Sequence, residues 1–357
     1  MKVDAKLNVS GRASIVDRAR EVEKLGYNGI WTSEAQHDPF LPLVLAAEHT
    51  TTLEVGTAIA VAFARSPMNL AYLANDLQEL SSGRFVLGLG SQVKAHIERR
   101  FAMSWSHPAA RLREFVLALR AIWEAWASGD RLSFRGEFYA HTLMTPFFSP
   151  GPNPYGNPPV HVAAVGESMT AVAGEVADGL LAHPFTTARY LRERTHPALA
   201  RGVAASGRST AEIEVSCPVL IATALTEPGM QAAVQAVRDQ IAFYGSTPAY
   251  RSVLELHGWE AMGDELNAVS VGRDDDRWAR MGRLIEDEVL HAFAVVGSPR
   301  VVGRALVARY SQLLDRISFY TPYAAEPEAI AQTLSAFRDA DTASHGGPRP
   351  DGTEHRG

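Results

Sequence analysis

Two rhythms of apolar residues alternate along this chain. Short runs of small and β-branched residues predict strands, and longer stretches with apolar residues three and four apart predict helices. Lys2 to Leu7 reads as a first strand. A helix follows from Arg12 to Leu25, with Ile15, Ala19, Val22 and Leu25 on one stripe and Gly26 as its stop. Gly29 to Thr32 is a second strand and Pro42 to Thr50 a short helix. The third strand, Val55 to Ala64, breaks at Arg65 and enters a helix at Ser66-Pro67, where Ser66 suits the N-cap and Pro67 the first helical position. Leu70, Leu73, Leu77 and Leu80 stripe that helix. Arg84 to Leu89 is strand four. The helix from Pro108 to Ser128 buries Leu112, Val116, Leu119, Trp123 and Trp126 and stops at Gly129.

The rhythm continues with Val160 to Val165, a helix from Ser168, Gly179 to Ala182, and Ile213 to Thr223. Residues 246–292 interrupt it with a polar, helical insertion. Ser298-Pro299 then starts another helix, Arg316 to Tyr320 is strand eight, and a last helix covers about Glu326 to Asp341. Eight strands with intervening helices predict an α/β fold, a closed (β/α)8 TIM barrel with insertions at its C-terminal rim. One domain spans 1–343, and the Gly/Pro/charge-rich tail 344–357 is expected to be disordered. The stretch from Thr145 to Pro159 is expected to be an ordered loop. The insertion, with Tyr250, His257, Trp259, Met262 and Trp278, is either a substrate-selecting lid or a dimer surface.

Composition narrows the class. The 357 residues carry a net charge of −6, without the basic surplus of a nucleic-acid binder. Lys2, Lys6, Lys24 and Lys94 are the only lysines, so little is left for a membrane-surface patch. No secretory signal or apolar run long enough for a bilayer is visible, so a cytoplasmic protein is expected. The single cysteine, Cys217, lies in an apolar strand and reads as inert packing.

The candidate chemistry sits at strand ends. Gly88-Leu89-Gly90-Ser91-Gln92 lacks the third glycine of a dinucleotide fingerprint; it reads as a strand end where backbone amides approach a flat ligand, or as a tight barrel turn. Gly166-Glu167-Ser168 opens a helix and suits a phosphate, although Ser168 could simply cap that helix. Glu34, Gln36, His37 and Asp38 follow strand two and suit proton handling. His96 and Glu98, with Arg65, Arg99 and Arg100, could hold acidic groups at the mouth or form surface ion pairs. A Schiff-base aldolase needs a lysine at a strand end, and none occurs after Lys94. Metal-hydrolase ligand pairs, a nucleophile elbow and a P-loop are missing, so metal: none is expected. What is left is a barrel that binds a flat, phosphorylated cofactor and lets it do the chemistry.

Several stretches together resemble the bacterial luciferase-like flavin/deazaflavin superfamily, closest to its F420-dependent oxidoreductase branch. They are Gly29 to Phe40, Gly56 to Pro67, Ser82 to Gln92, His96 to Phe101 with Trp105, Gly166 to Gly179, and Val296 to Pro299. The resemblance covers roughly residues 2–340. It implies a bulged third strand with a non-proline cis peptide at Ala58-Ile59, pressed on the central ring of the cofactor, with Ala60 beside it. It implies that Ser91, Gln92, His96 and the helix start at Gly166, Glu167 and Ser168 hold the ribityl-phosphate side. Arg65, Lys94, Arg99 and Arg100 suit the acidic tail of F420. Many relatives have a histidine where this chain has Ala35, so Glu34, Gln36 or His37 would supply a proton, or the proton would come from water; Glu34 and His37 are the catalytic candidates. The implied activity is hydride transfer between reduced coenzyme F420 and an organic carbonyl, imine or activated alkene, in a homodimer. The alternatives are an FMN-dependent monooxygenase using O2 and a non-catalytic flavin-binding protein.

Overall fold

The computed structural model describes residues 1–345, except 9 and 273–275. The expected tail falls outside these residues save for its first two positions, which continue the last helix. Among the described residues eight parallel strands form the ring: β1 (Lys2–Lys6), β2 (Gly29–Thr32), β3 (Glu54–Thr57, continued by Ala60–Val61), β4 (Phe85–Gly90), β5 (Val160–Ala164), β6 (Gly179–Ala182), β7 (Glu214–Ala222) and β8 (Arg316–Tyr320). Their order is β7-β8-β1-β2-β3-β4-β5-β6, and the pairing of β6 with β7 closes the ring. This is the expected (β/α)8 barrel.

The chain packs as two compact units. One comprises Lys2–Pro218 with Asp315–Phe319, and the other Met1, Val219–Leu314 and the segment from Tyr320 on.

In the first unit the helices form where the apolar stripes predict them. Ser66 caps the helix Pro67–Leu80 by accepting from the Asn69 amide at 3.2 Å. The helix Pro108–Ser128 buries Leu112, Phe115, Val116, Leu119, Ile122, Trp123 and Trp126 and ends at Gly129, whose φ of 75° is reached without strain only by a residue lacking Cβ. The excursion after it holds an unpredicted hairpin, Phe134–Arg135 with Ala140–His141. Glu114 fastens that hairpin: its carboxylate accepts the amides of Glu137, Phe138 and Tyr139 at 2.6–2.8 Å. Isolated short hairpins are marginal in water, which is why local pattern did not announce this one.

In the second unit the helix Glu227–Gly245 carries the insertion. The described residues of 246–292 form short helices, with Trp278 packed on Phe243 and His257 stacked on Trp259. The short strand Ala294–Val296 pairs with Leu220–Ala222 of β7. Among the described residues no helix is long and apolar enough to cross a membrane.

An ion-pair cluster fills the N-terminal end of the barrel. Arg316, fully buried, grips Asp4 through two bonds of 2.6 and 2.8 Å and reaches Glu54 and Glu214, each at 2.7 Å. Lys2 bridges the same two glutamates. The guanidinium lies 4.9 Å from the Trp31 ring, and Trp31 stacks on His161. Burial pushes the His161 imidazole down to about 4, so it sits neutral within the cluster. A cavity of about 470 Å³ opens beside these groups. It lies at the strand starts, the end of such barrels that serves stability, so the candidate site is sought at the opposite end.

Candidate functional site

The C-terminal rim is shaped by an irregularity in β3. Gly56 is in register with Val86, and Ala60 with Leu89. Four steps along β3 therefore match three along β4, which defines a bulge. The peptide bond Ala58-Ile59 within it is cis, where the resemblance placed it. Beyond Val61 the chain turns into a short 3-10 helix at Ala62–Ala64, so the strand ends earlier than the apolar run suggests.

Two glycines of β4 make room for the bulge. A Cβ on Gly88 would stand 1.7 Å from the Thr57 carbonyl oxygen, and Thr57 Oγ1 both donates to the Gly88 carbonyl and accepts the Gly88 amide. A Cβ on Gly90 would meet Ile59 at 2.9 Å. The space freed by these glycines is thus taken by the third strand. Such close strand-to-strand approach is what the tight-barrel reading requires.

The end of β2 braces the same bulge. The Ala58 amide donates to the Thr32 carbonyl and the Glu34 amide to the Ile59 carbonyl. Glu34 Oε2 accepts from the Val61 amide at 2.7 Å and from Arg65 Nη1 at 2.6 Å. Arg65 also reaches the Val61 carbonyl and Asp38, and lies over the Phe40 ring. Glu34, Ala58, Ile59, Ala60 and Arg65 therefore form one connected structure. Within it Glu34 is engaged in holding backbone, and Arg65 is spent on Glu34 and Asp38.

Ser91 and Gln92 follow β4 directly. Gln92 adopts φ 60° and its side chain accepts the Val93 amide, which fixes the turn. His37 is exposed on the loop after β2 and His96 on the short helix Lys94–Arg99, and their imidazoles make no hydrogen bond among the described residues. Arg100 donates to the Ala35 carbonyl at 2.5 Å, pinning the loop after β2.

At the end of β5, Gly166 is the N-cap of the helix Glu167–Val176, and no side chain caps it. Ser168 lies inside the first turn, so the alternative in which it serves only as the cap is corrected. A Cβ on Gly166 would meet nothing within 4 Å. Glu167 turns its carboxylate to Arg201, at 2.6 Å, leaving the amides of the first turn facing open space.

Sequence reasoning missed two groups on this rim. Lys6 ends β1 and His183 directly follows β6. Lys6 is a strand-end lysine that precedes Lys94, so the lack of lysine beyond Lys94 does not empty the rim of one. The signal was available: Lys6 is in phase with Asp4 and Lys2, both of which point into the barrel. Cys217, by contrast, is the packing residue expected. Burial pushes its thiol up to about 12.

A parallel barrel with a bulged strand and an open helix start at its C-terminal rim has the architecture of the α/β-barrel enzymes, whose sites sit at that rim. The family model for luciferase-like monooxygenase matches residues 2–316, and the chain belongs to that family, which makes it an oxidoreductase. An uncharacterized protein of Mycobacterium tuberculosis is 53% identical over 339 residues, covering 95% of this chain and 98% of its own. The 5,10-methylenetetrahydromethanopterin reductase of Methanolobus tindarius is 26% identical over 309 residues, covering 84% and 86%. Among solved structures, the coenzyme F420-dependent tetrahydromethanopterin reductase from Methanopyrus kandleri aligns with a TM-score of 0.73 at 19% identity, covering 94% of this chain and 97% of that one. That last likeness is one of fold.

Proposed function

We propose that this chain is an F420-dependent oxidoreductase that transfers a hydride between reduced F420 and an organic carbonyl, imine or activated alkene. When bound, the deazaflavin supplies two electrons as hydride from carbon and does not activate oxygen. The observation that carries the reading is the uncapped helix start at Gly166, whose open first-turn amides suit the cofactor phosphate. The bulge at Ala58–Ala60 borders the same rim and would shape the seat of the ring. Ser91, Gln92 and His96 follow β4 and would line the ribityl side. Arg99, and Lys94, which pairs with Glu98 only at 3.8 Å, are exposed and suit an acidic tail better than Arg65, held by Glu34 at 2.6 Å. His37, exposed on the loop after β2, is free to exchange a proton with a bound substrate, a role that Glu34 is poorly placed to fill. The 26% identical reductase supports the same class of chemistry. A homodimer is part of this proposal, checked by sedimentation equilibrium.

The family description, luciferase-like monooxygenase, supports a second reading as a monooxygenase, for which the cofactor would be FMN. The two separate on mixing. With reduced F420 under nitrogen, a carbonyl panel should restore the oxidised chromophore, whereas a monooxygenase would consume oxygen only with reduced FMN. Tight cofactor binding with neither reaction would leave a binding protein.

A further inference from the structure

We propose that Lys6 and His183 form the substrate-oxygen site, two hydrogen-bond donors at the C-terminal mouth of the barrel that receive the oxygen of the carbonyl being reduced. The proposal rests on the hydride-transfer reading above and adds to it the groups that face the substrate.

The placement follows from strand phase. Lys2, Asp4 and Lys6 occupy alternate positions of β1; the first two bond to the ion-pair cluster inside the barrel, so Lys6 points inward two residues nearer the mouth. On β6, a Cβ at Gly179 would strike His161 inside the barrel, and Leu181 comes within 2.8 Å of a Cβ built on Gly88. His183 continues that inward face one residue past the strand end. β1 and β6 are not neighbours in the ring, so the two side chains approach each other only across its interior. Burial, and then the positive charge of Lys6, lower the His183 imidazole to about 4. Lys6 keeps an exposed part, yet burial of its side chain lowers its pKa.

The tautomer of His183 is also fixed. The Phe185 amide donates to His183 Nδ1 at 3.1 Å, so the neutral ring carries its proton on Nε2. His183 is thereby a donor and Lys6 an ammonium, a pair matched to an oxygen that gains negative charge. A hydride reaching the carbonyl carbon forms a C–H bond and sends the C=O π pair to oxygen. That oxygen takes a proton from the Lys6 ammonium, and water reprotonates the amine. The carbonyl gains two electrons, and reduced F420, the donor, loses two.

The test uses acetate as a stand-in for the charged oxygen, titrated into the full chain while the His183 imidazole is followed by NMR. Saturable shifts of the His183 signals are expected. Affinity should fall at least tenfold in Lys6→Met and recover to within threefold of wild type in Lys6→Arg. F420 binding, read by absorbance, should stay within about twofold in both variants. His183 signals that ignore acetate in the wild type, or shift equally in Lys6→Met, overturn the proposal. If the wild type fails to bind F420, the cofactor reading falls instead, and the acetate result still decides whether an anion site exists.

Discussion

Arg65 donates to Glu34 Oε2 across 2.6 Å, and the same oxygen holds the Val61 amide at 2.7 Å. One carboxylate thus ties the loop after β2 to both ends of the short segment that follows the bulge. Glu34 is only 8% exposed and Arg65 19%, so removing the carboxylate strands a buried amide and a largely buried cation. Glu34→Ala should cost about 3 kcal/mol, the usual penalty for breaking one partner of a buried pair. Glu34→Gln, which keeps an acceptor, should cost about 1–2 kcal/mol. Urea unfolding checks both. A loss near zero would mean that Glu34 is not a brace and would return it to the catalytic candidates.

Arg316 should be harder to replace. It is fully buried against Asp4, Glu54 and Glu214, and Arg316→Met leaves their charges facing one another. The expected loss is about 3–5 kcal/mol. Even Arg316→Lys should fall well below wild type in Tm, because an ammonium cannot reproduce the two-pronged grip on Asp4. Thermal melts of both variants decide the matter.

Acid should destabilise the protein through His161. Its folded pKa, about 4, lies below its unfolded value of 6.5. Between those values the unfolded chain binds the extra proton, so this contribution is intact above pH 6.5 and is lost as pH falls toward 4. A shift of this size corresponds to about 3 kcal/mol at its limit. Urea midpoints measured from pH 7.5 to 4.5 should fall, and His161→Gln should flatten that slope. An unchanged slope in the variant would place the acid sensitivity elsewhere.

The fold was legible because the strands and their helices are written in local pattern. Ile15, Ala19 and Val22 are buried as the stripe requires, and Ser66 caps where its neighbours demand. The site was legible only in outline. The bulge at Ala58–Ala60 was anticipated through family resemblance, since its register depends on pairing with β4 and not on the apolar run itself. The bracing contacts of Glu34 and the crowding at Gly88 and Gly90 were not legible because they depend on long-range backbone partners. Glu34 finds Val61 27 positions away, and Gly88 meets Thr57 31 positions away. Lys6 and His183 were missed because they lie far apart in sequence and share the barrel interior only through closure of the ring.

Cys217 offers a simple check on the core. Its thiol is buried and pushed up to about 12, so it should not react with a disulfide reagent at pH 8 until denaturant opens the fold. Stoichiometric labelling of the native protein would contradict the packing described here.

The account rests on the C-terminal rim being a seat for a phosphorylated deazaflavin. The most direct test is an equilibrium titration of the purified chain with oxidised F420 and, separately, FMN, followed through each chromophore's absorbance. Saturable F420 binding at least about tenfold tighter than FMN, a difference of about 1.4 kcal/mol, is the predicted result. Binding of FMN in preference to F420, or of neither, would contradict it.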